Sequence, residues 1–335
     1  MIDLVHLSLD IPLTPDCFVP SLWSNRMTEQ GEFYLSHAKE GIGIRYYPHR
    51  ERMTIFGKLI RLLRNTRILN VDDLYGINTE SFIREVNVYL NRLCTRPLLD
   101  IRSFKVKRID YCFNVKTAYV GEYIRFLNEA FKRCDSGHRV NHTERHKLDG
   151  STYIKTEGDY EKDELRNYVL NFYDKEDWLD KQDEHYRAVL ERERVHAHNV
   201  LRLEVQCGFA FLKGFCKKQK INLTFGDLFA YDVALEAERT VYSRVFRCDD
   251  TQDFYLYSVA KQMIPRNSSA ARKTLLTAGQ KHPILGTKHA RGRKVIGEAG
   301  IYPYCFLSKE CGVDRLDNPI KLIKRKLKDM VDSAA

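Results

Sequence analysis

The sequence predicts an α+β protein: a split βαβ, ferredoxin-like antiparallel sheet forms the core and a mainly helical C-terminal domain follows it. Two observations carry this. Residues 101–212 read as strand, helix, strand, strand, helix, strand, and apolar positions beyond about residue 213 recur at helical spacing.

The first core strand spans residues 103–115, where Val106, Arg108, Asp110 and Cys112 share one face at period two. A helix over 119–134 follows, with Val120, Ile124, Leu127 and Phe131 on one side. Residues 151–156 and 167–173 read as two strands around an acidic loop at 157–164. Residues 175–195 form a long charged helix, and 200–207 a last strand. On that strand Arg202, Glu204 and Gln206 share one face and Leu201, Leu203 and Val205 the other. In the split βαβ order the first strand lies between the third and the fourth, which makes Asp110 and Tyr173 near neighbours despite their separation in sequence.

Residues 1–100 are a strand-rich extension of this core: strands over 2–9, 32–36, 41–47 and 53–56, a helical turn over 58–63, and a helix opening at Asn78-Thr79. Residues 213–335 are expected to be a separate helical accessory domain. It has a basic connector (Lys213, Lys217, Lys218, Lys220), helices over 228–246 and 268–278, and a basic loop over 281–294. A short helix over 302–312 and an amphipathic helix over 319–331 complete it.

A chain of 335 residues with net charge +10 favours a polyanionic partner, nucleic acid ahead of a membrane surface. Nine scattered cysteines without a Cys-x-x-Cys pair argue for a reducing compartment and against zinc ribbons and disulfide scaffolds. Asp3, His6 and Asp10 interrupt the first apolar stretch, so no signal peptide is expected, nor a membrane partner, and a cytoplasmic location is. The chain has no Walker loop and no G-x-S-x-G, which argues against nucleotide use and serine hydrolysis.

Three segments carry the chemistry: Arg108-Ile109-Asp110, Phe172-Tyr173-Asp174-Lys175 and Arg202-Leu203-Glu204. Two strand carboxylates can hold a hard divalent ion, and a tyrosine beside one can attack a phosphodiester. Lys175 could stabilise the phenolate or the transferring phosphate. Each feature has a plainer explanation: polar residues at period two also mark a solvated sheet face, and an Arg–Glu pair can simply bridge strands. His196-Ala197-His198 has the histidine–hydrophobic–histidine form of a metal motif, and also the histidines a helix C-terminus favours for dipole reasons. His198 is the candidate ligand of the two; His142 and His146 lack a helical context.

The ordered segments KRIDYCF, STYIK, NFYDKEDW and LRLEVQC resemble the filamentous-phage gene II/X type of rolling-circle replication initiation protein, which is related to plasmid initiators. The opening MIDLVHLSL, FGKLIRLLRN and, loosely, GIYPYCFLSKECGV are similar too, although Arg64-Asn65 departs from the family's glycine. The resemblance covers about residues 1–210. It implies a nickase core related to the histidine-motif endonucleases, with Tyr173 as nucleophile and Asp110 and Glu204 holding Mg²⁺ or Mn²⁺. A 5′-phosphotyrosine, a free 3′-OH and later strand rejoining follow from it. It implies single-stranded or supercoiled origin DNA as substrate, and a host helicase and DNA polymerase as partners. Candidate DNA contacts are Arg108, Arg202, Lys217, Lys218, Lys288, Arg291, Arg293 and Lys294. Two other readings stay open: a non-catalytic origin-binding repressor of the same fold, and a relaxase or transposase using the same chemistry.

Overall fold

The computed structural model describes residues 2–39, 41–60, 79–96, 99–134, 139–140, 152–155, 160–161, 164–165, 167–180, 196–280, 285 and 287–334. The expected turn over 58–63, the departure at Arg64-Asn65, His142 and His146, and most of the acidic loop and of the 175–195 helix lie wholly or largely outside them.

The strands are β1 (Ile2–Asp10), β2 (Ser24–Met27), β3 (Phe33–Lys39), β4 (Ile42–Tyr47), β5 (Arg52–Gly57), β6 (Lys105–Lys116), β7 (Arg139–Val140), β8 (Thr152–Lys155), β9 (Tyr160–Glu161), β10 (Glu164–Leu165), β11 (Tyr168–Asp174), β12 (Val200–Gly208), β13 (Phe254–Tyr255) and β14 (Arg315–Leu316). The helices are α1 (Thr79–Arg92), α2 (Val120–Cys134), α3 (Lys175–Asp180), α4 (Phe209–Gln219), α5 (Phe225–Leu228), α6 (Tyr231–Phe246), α7 (Tyr257–Met263), α8 (Ser269–Ala278), α9 (Ala290–Glu298) and α10 (Pro319–Ala334). The protein is therefore α+β, built on a ten-stranded sheet of order β2-β3-β4-β5-β1-β6-β12-β11-β8-β7 whose pairings are antiparallel.

This order corrects the split βαβ expectation. The fourth core strand, β12, lies between the first, β6, and the third, β11. The physical reason is that β6 offers its other edge to β1, from Ile2↔Tyr111 to Ser8↔Lys105, so β11 has no free edge of β6 to join. The N-terminal strands thus extend the same sheet.

Period-two alternation gives the sheet two different faces. One carries Val5, Ile109, Tyr111, Phe113, Leu170, Phe172, Leu201, Leu203 and Val205, all buried. Helices α6 and α10 pack against this part of the sheet, α6 on β6, β11 and β12 and α10 on β6. One hydrophobic cluster runs from Ile2 to Ile323 and includes Val241 and Ile320. The expected boundary at 212/213 is therefore not a break in the core: an amphipathic sheet must bury its apolar face, and the C-terminal helices supply the cover. A smaller cluster (Ala260, Ile264, Ala271, Leu275, Ile296, Ile301) holds α7, α8 and α9 together.

Three further expectations change. The basic connector is helix α4, with Phe211, Leu212, Phe215 and Cys216 inward and Lys217 and Lys218 exposed. The end of the basic loop is helix α9. Residues 302–312 form no α-helix, only a 3₁₀ turn over Lys309–Cys311. All nine cysteines are buried and free. Among the described residues, no helix is long and apolar enough to cross a membrane.

Candidate active site

The polar face of the central strands carries the site, and antiparallel register fixes who faces whom, because directly paired residues point to the same side. Asp110 pairs with Gln206, and Gln206 with Val169. Cys112 pairs with Glu204, and Glu204 with Asn171. Asn114 pairs with Arg202, and Arg202 with Tyr173. The three segments singled out in the sequence thus converge on β6, β12 and β11. The correct strand order serves this better than the expected one, since Glu204 and Arg202 sit between Asp110 and Tyr173.

This face is not solvated. Asp110 is 2%, Arg202 1% and Glu204 6% exposed. Charges at such depth must be paired. Arg108 holds Asp110 in a two-pronged bond, with Nε to Oδ1 and Nη2 to Oδ2 both at 2.8 Å. Arg202 Nη2 lies 3.0 Å from Asp3 Oδ1, and its Nε lies 3.6 Å from Glu204 Oε2. Gln206 Nε2 donates to Glu204 Oε1 at 3.0 Å.

Asp3 joins this buried charge cluster, although the sequence reading takes it as a mere interruption of an apolar strand. The β1–β6 register slips between Ile2 and Leu4, and in this bulge the Asp3 carboxylate meets Arg202 and, at 2.8 Å, Lys58 Nζ. A carboxylate breaking a period-two apolar run was the available signal.

The electrostatics follow from depth and company. Burial pushes the Asp110 carboxyl up to about 7; Arg108 opposes the rise, and Glu204 and Asp3 add to it. Burial also pushes Asp3 up, but Lys58 and Arg202 outweigh it and hold that carboxyl well below the usual range. Burial, with Arg202 beside it, holds the Lys175 ammonium well below its ordinary value of 10.5. Lys175 lies with Nζ 3.8 Å from the centre of the Trp178 ring and 5.8 Å from that of Tyr173. Tyr173, 5% exposed, has its ring 6.4 Å from Trp178. Asp174 starts α3, its Oδ1 accepting from Glu176 N at 2.9 Å.

His198 does not join these residues. Its Nδ1 is 2.8 Å from Glu176 Oε2 and its side chain is 61% exposed. Four residues of strand, roughly 13 Å, separate even Val200 from Glu204. His196 is exposed as well, while Ala197 between them packs on Leu179. The pattern marks a helix end whose middle residue is apolar. Of the expected DNA contacts, Arg108 and Arg202 are committed to carboxylates. Lys217, Lys218, Lys288, Arg291 and Lys294 are exposed. Arg293 instead donates to Leu285 O at 2.7 Å and lies over the Tyr304 ring.

The donor set fits a hard divalent cation in kind. Asp110 and Glu204 offer carboxylate oxygens on adjacent strands, and beside Glu204 the buried Asn171 Oδ1 has no hydrogen-bond partner among the described residues. Arg108 and Arg202 already occupy the carboxylates, and the described residues hold no group of three or more His, Cys, Asp or Glu side chains placed for a metal. A cation would therefore take Asp110, Glu204 and Asn171 and displace guanidinium contacts.

No known protein family matches the sequence, and no curated protein does. Among solved structures, a similar chain is the rolling circle replication initiator protein from Geobacillus stearothermophilus. It is 9% identical, with a TM-score of 0.33, over 91% of this chain and 98% of that one.

Proposed function

We propose that the protein is a rolling-circle replication initiator that nicks and rejoins single-stranded origin DNA through Tyr173. The observation that carries this reading is the registered arrangement of Asp110, Glu204, Arg202 and Tyr173 on one face of three consecutive strands. A phosphotyrosine chemistry needs a phenol, an acceptor for its proton, and positive charge near the phosphate. In this reading the Tyr173 oxygen attacks the scissile phosphorus, the phosphorus–O3′ bond breaks, and the DNA is left as a 5′-phosphotyrosine and a free 3′-hydroxyl. Attack by that hydroxyl on the phosphotyrosine restores the phosphodiester, so no nucleotide is consumed.

Lys175 takes a different role from the fixed cation expected of it. A buried amine whose charged form is disfavoured suits acceptance of the phenol proton. Arg202, paired directly with Tyr173 across the strands, would be the cation for the phosphate once it gives up Glu204, the contact a bound cation displaces. Asp110, Glu204 and Asn171 would hold Mg²⁺ or Mn²⁺, which when bound supplies polarisation of the phosphate. Tyr173 is nearly buried, so the reading requires the chain covering it to give way to the DNA strand.

A second reading has an observation of its own. The Arg108–Asp110 pair and the Asp3–Arg202–Glu204 set neutralise buried charges in the way a purely structural sheet face does. A DNA-binding protein without chemistry would keep them. One experiment separates the readings: supercoiled DNA of the protein's own replicon is incubated with it and Mn²⁺, and covalent adducts are sought after denaturation. An adduct with the native protein and none with Tyr173→Phe supports the nickase. An adduct with Tyr173→Phe overturns the assignment of Tyr173, and no adduct with either leaves the binding reading.

A further inference from the structure

The polar face continues past Asp110 onto β1, β5 and β4. There it forms a groove of about 640 Å³ lined by His6, Arg45, Phe56, Lys107, Arg108 and Phe209, among others. Of its members, only Arg108 is a candidate contact in the sequence. The register places Arg108, His6, Phe56 and Arg45 on the side of the sheet that holds the site, since Arg108 pairs with His6, His6 with Phe56, Phe56 with Gly43 and Thr54 with Arg45; Lys107, at the slip in the β1–β6 register, and Phe209, at the start of α4, line the same groove. Arg108 therefore belongs to both: its guanidinium holds Asp110, and it also lines the groove.

The groove combines flat aromatic surfaces with cations. The Arg45 guanidinium lies 4.9 Å from the centre of Phe56 and 5.3 Å from that of Tyr34. Lys107 Nζ lies 4.6 Å from the centre of Phe209, which is 40% exposed. Arg50 and Arg52 are spoken for by Glu32 and Asp10, but Arg45 and Lys107 make no ion pair among the described residues. Phe56 has a seat made for it. A Cβ at Gly43 would fall 2.0 Å from Phe56 Cζ, so only glycine there lets the ring lie flat on the strand beside Arg45.

We infer that this groove binds a single-stranded DNA segment, stacking its bases on Phe56 and Phe209 and taking its phosphates on Arg45 and Lys107, next to the site at Asp110. An exposed ring, Phe209, and a half-buried one, Phe56, beside cations without ion pairs suit single strands, whose unstacked bases present free ring faces; a duplex hides them. The chain's net charge of +10 acts in the same direction. The inference deepens the proposed function, since it names where the strand flanking the cut would lie, but its binding test is independent of any cleavage.

The test uses the full chain in EDTA, with a fluorescent single-stranded oligodeoxynucleotide of mixed sequence and its duplex, followed by anisotropy across salt concentrations. Phe209→Ala is expected to weaken single-strand binding roughly tenfold, the scale of one lost base stack. Arg45→Gln with Lys107→Gln should lower the slope of log affinity against log salt by roughly 1.4, about 0.7 for each phosphate contact on a single strand. Lys261→Gln, an exposed lysine on α7 outside the groove, should leave both unchanged. All these positions except Arg45 are exposed, and thermal melts of each variant confirm folding. Unchanged affinity and slope in the folded groove variants overturn the inference; so does an equal loss for the duplex, which would mark a duplex phosphate contact. Lost binding without any adduct from the native protein keeps the groove and sinks the chemistry. A normal adduct with unchanged binding does the reverse.

Discussion

Asp3 shows how much a single residue can carry when it sits at depth. It is the shared partner of Arg202 and Lys58, so Asp3→Asn leaves the buried Arg202 with Glu204 alone and takes the counter-charge from the half-buried Lys58. A loss of about 3–5 kcal/mol is expected, the scale for breaking one side of a buried pair, and urea unfolding measures it. Tyr173→Phe is different in kind. It removes a hydroxyl and keeps the ring against Trp178, so stability should hold within about 1 kcal/mol while adduct formation stops. Lys175 opposes folding at neutral pH. Its native pKa is lowered, so between that value and 10.5 the unfolded chain holds a proton that the native protein does not, and stability from this group rises with pH through the window. Lys175→Met should therefore stabilise the protein at pH 7 by about 1–3 kcal/mol, with the gain shrinking as the pH approaches 10.5. Melts of both proteins across that range check it; a pH-independent difference would mean the amine is charged in the native state.

At the scale of elements, strand register and helix contact decide what a local motif becomes. The polar triplet Arg202, Glu204, Gln206 is compatible with solvent or site, and pairing of β12 with both β6 and β11 sets it between the strands that carry Asp110 and Tyr173. Helices α8 and α9 show the same dependence on a close approach. A Cβ at Gly292 would lie 2.0 Å from Thr274 Oγ1 and 2.5 Å from Ala270 O. Gly292→Val should force the two helices apart, at a cost of about 1–3 kcal/mol or more. Faster hydrogen exchange in α8 and α9, with the central sheet unaffected, would be its signature. The exposed Lys288, Arg291 and Lys294 ride on this pair, so duplex binding that depends on them should weaken together with it.

For the whole molecule, the continuous core sets the limit on dissection. A fragment ending near residue 212 would leave the apolar face of β6, β11 and β12 without α6 and α10. It is expected to be insoluble or to lack a cooperative melt. A soluble fragment with a sharp transition would show instead that the C-terminal helices are dispensable. The metal reading belongs at this scale too, because a ligand bound only by the native state raises its melting temperature. Mn²⁺ should raise the melting temperature of the native protein and not that of Asp110→Asn or Glu204→Gln.

The α+β class, the core strands within a residue or two and the polar faces of β12 and most of β6 were legible in the sequence; Val106, grouped there with Arg108, lies on the opposite face because the β1–β6 register slips between His6 and Leu7. Period-two alternation is a local property, and burial of one face follows from it wherever the strand ends up. It also held the carboxylates, tyrosine and arginines that meet at the site. It could not determine the strand order, because which edge of β6 pairs with which partner is settled by competition between distant segments, and β1 won an edge the split βαβ pattern assigns elsewhere. For the same reason the partners of Asp3 and the groove of Arg45, Phe56, Lys107 and Phe209 were not legible in it. A bulge, a glycine seat for an aromatic ring and a cation laid over that ring exist only once strands far apart in the chain lie side by side. The domain boundary at 212/213 fell likewise: composition changes there, but the apolar face of the sheet needs a cover, and only tertiary packing shows that the later helices provide it.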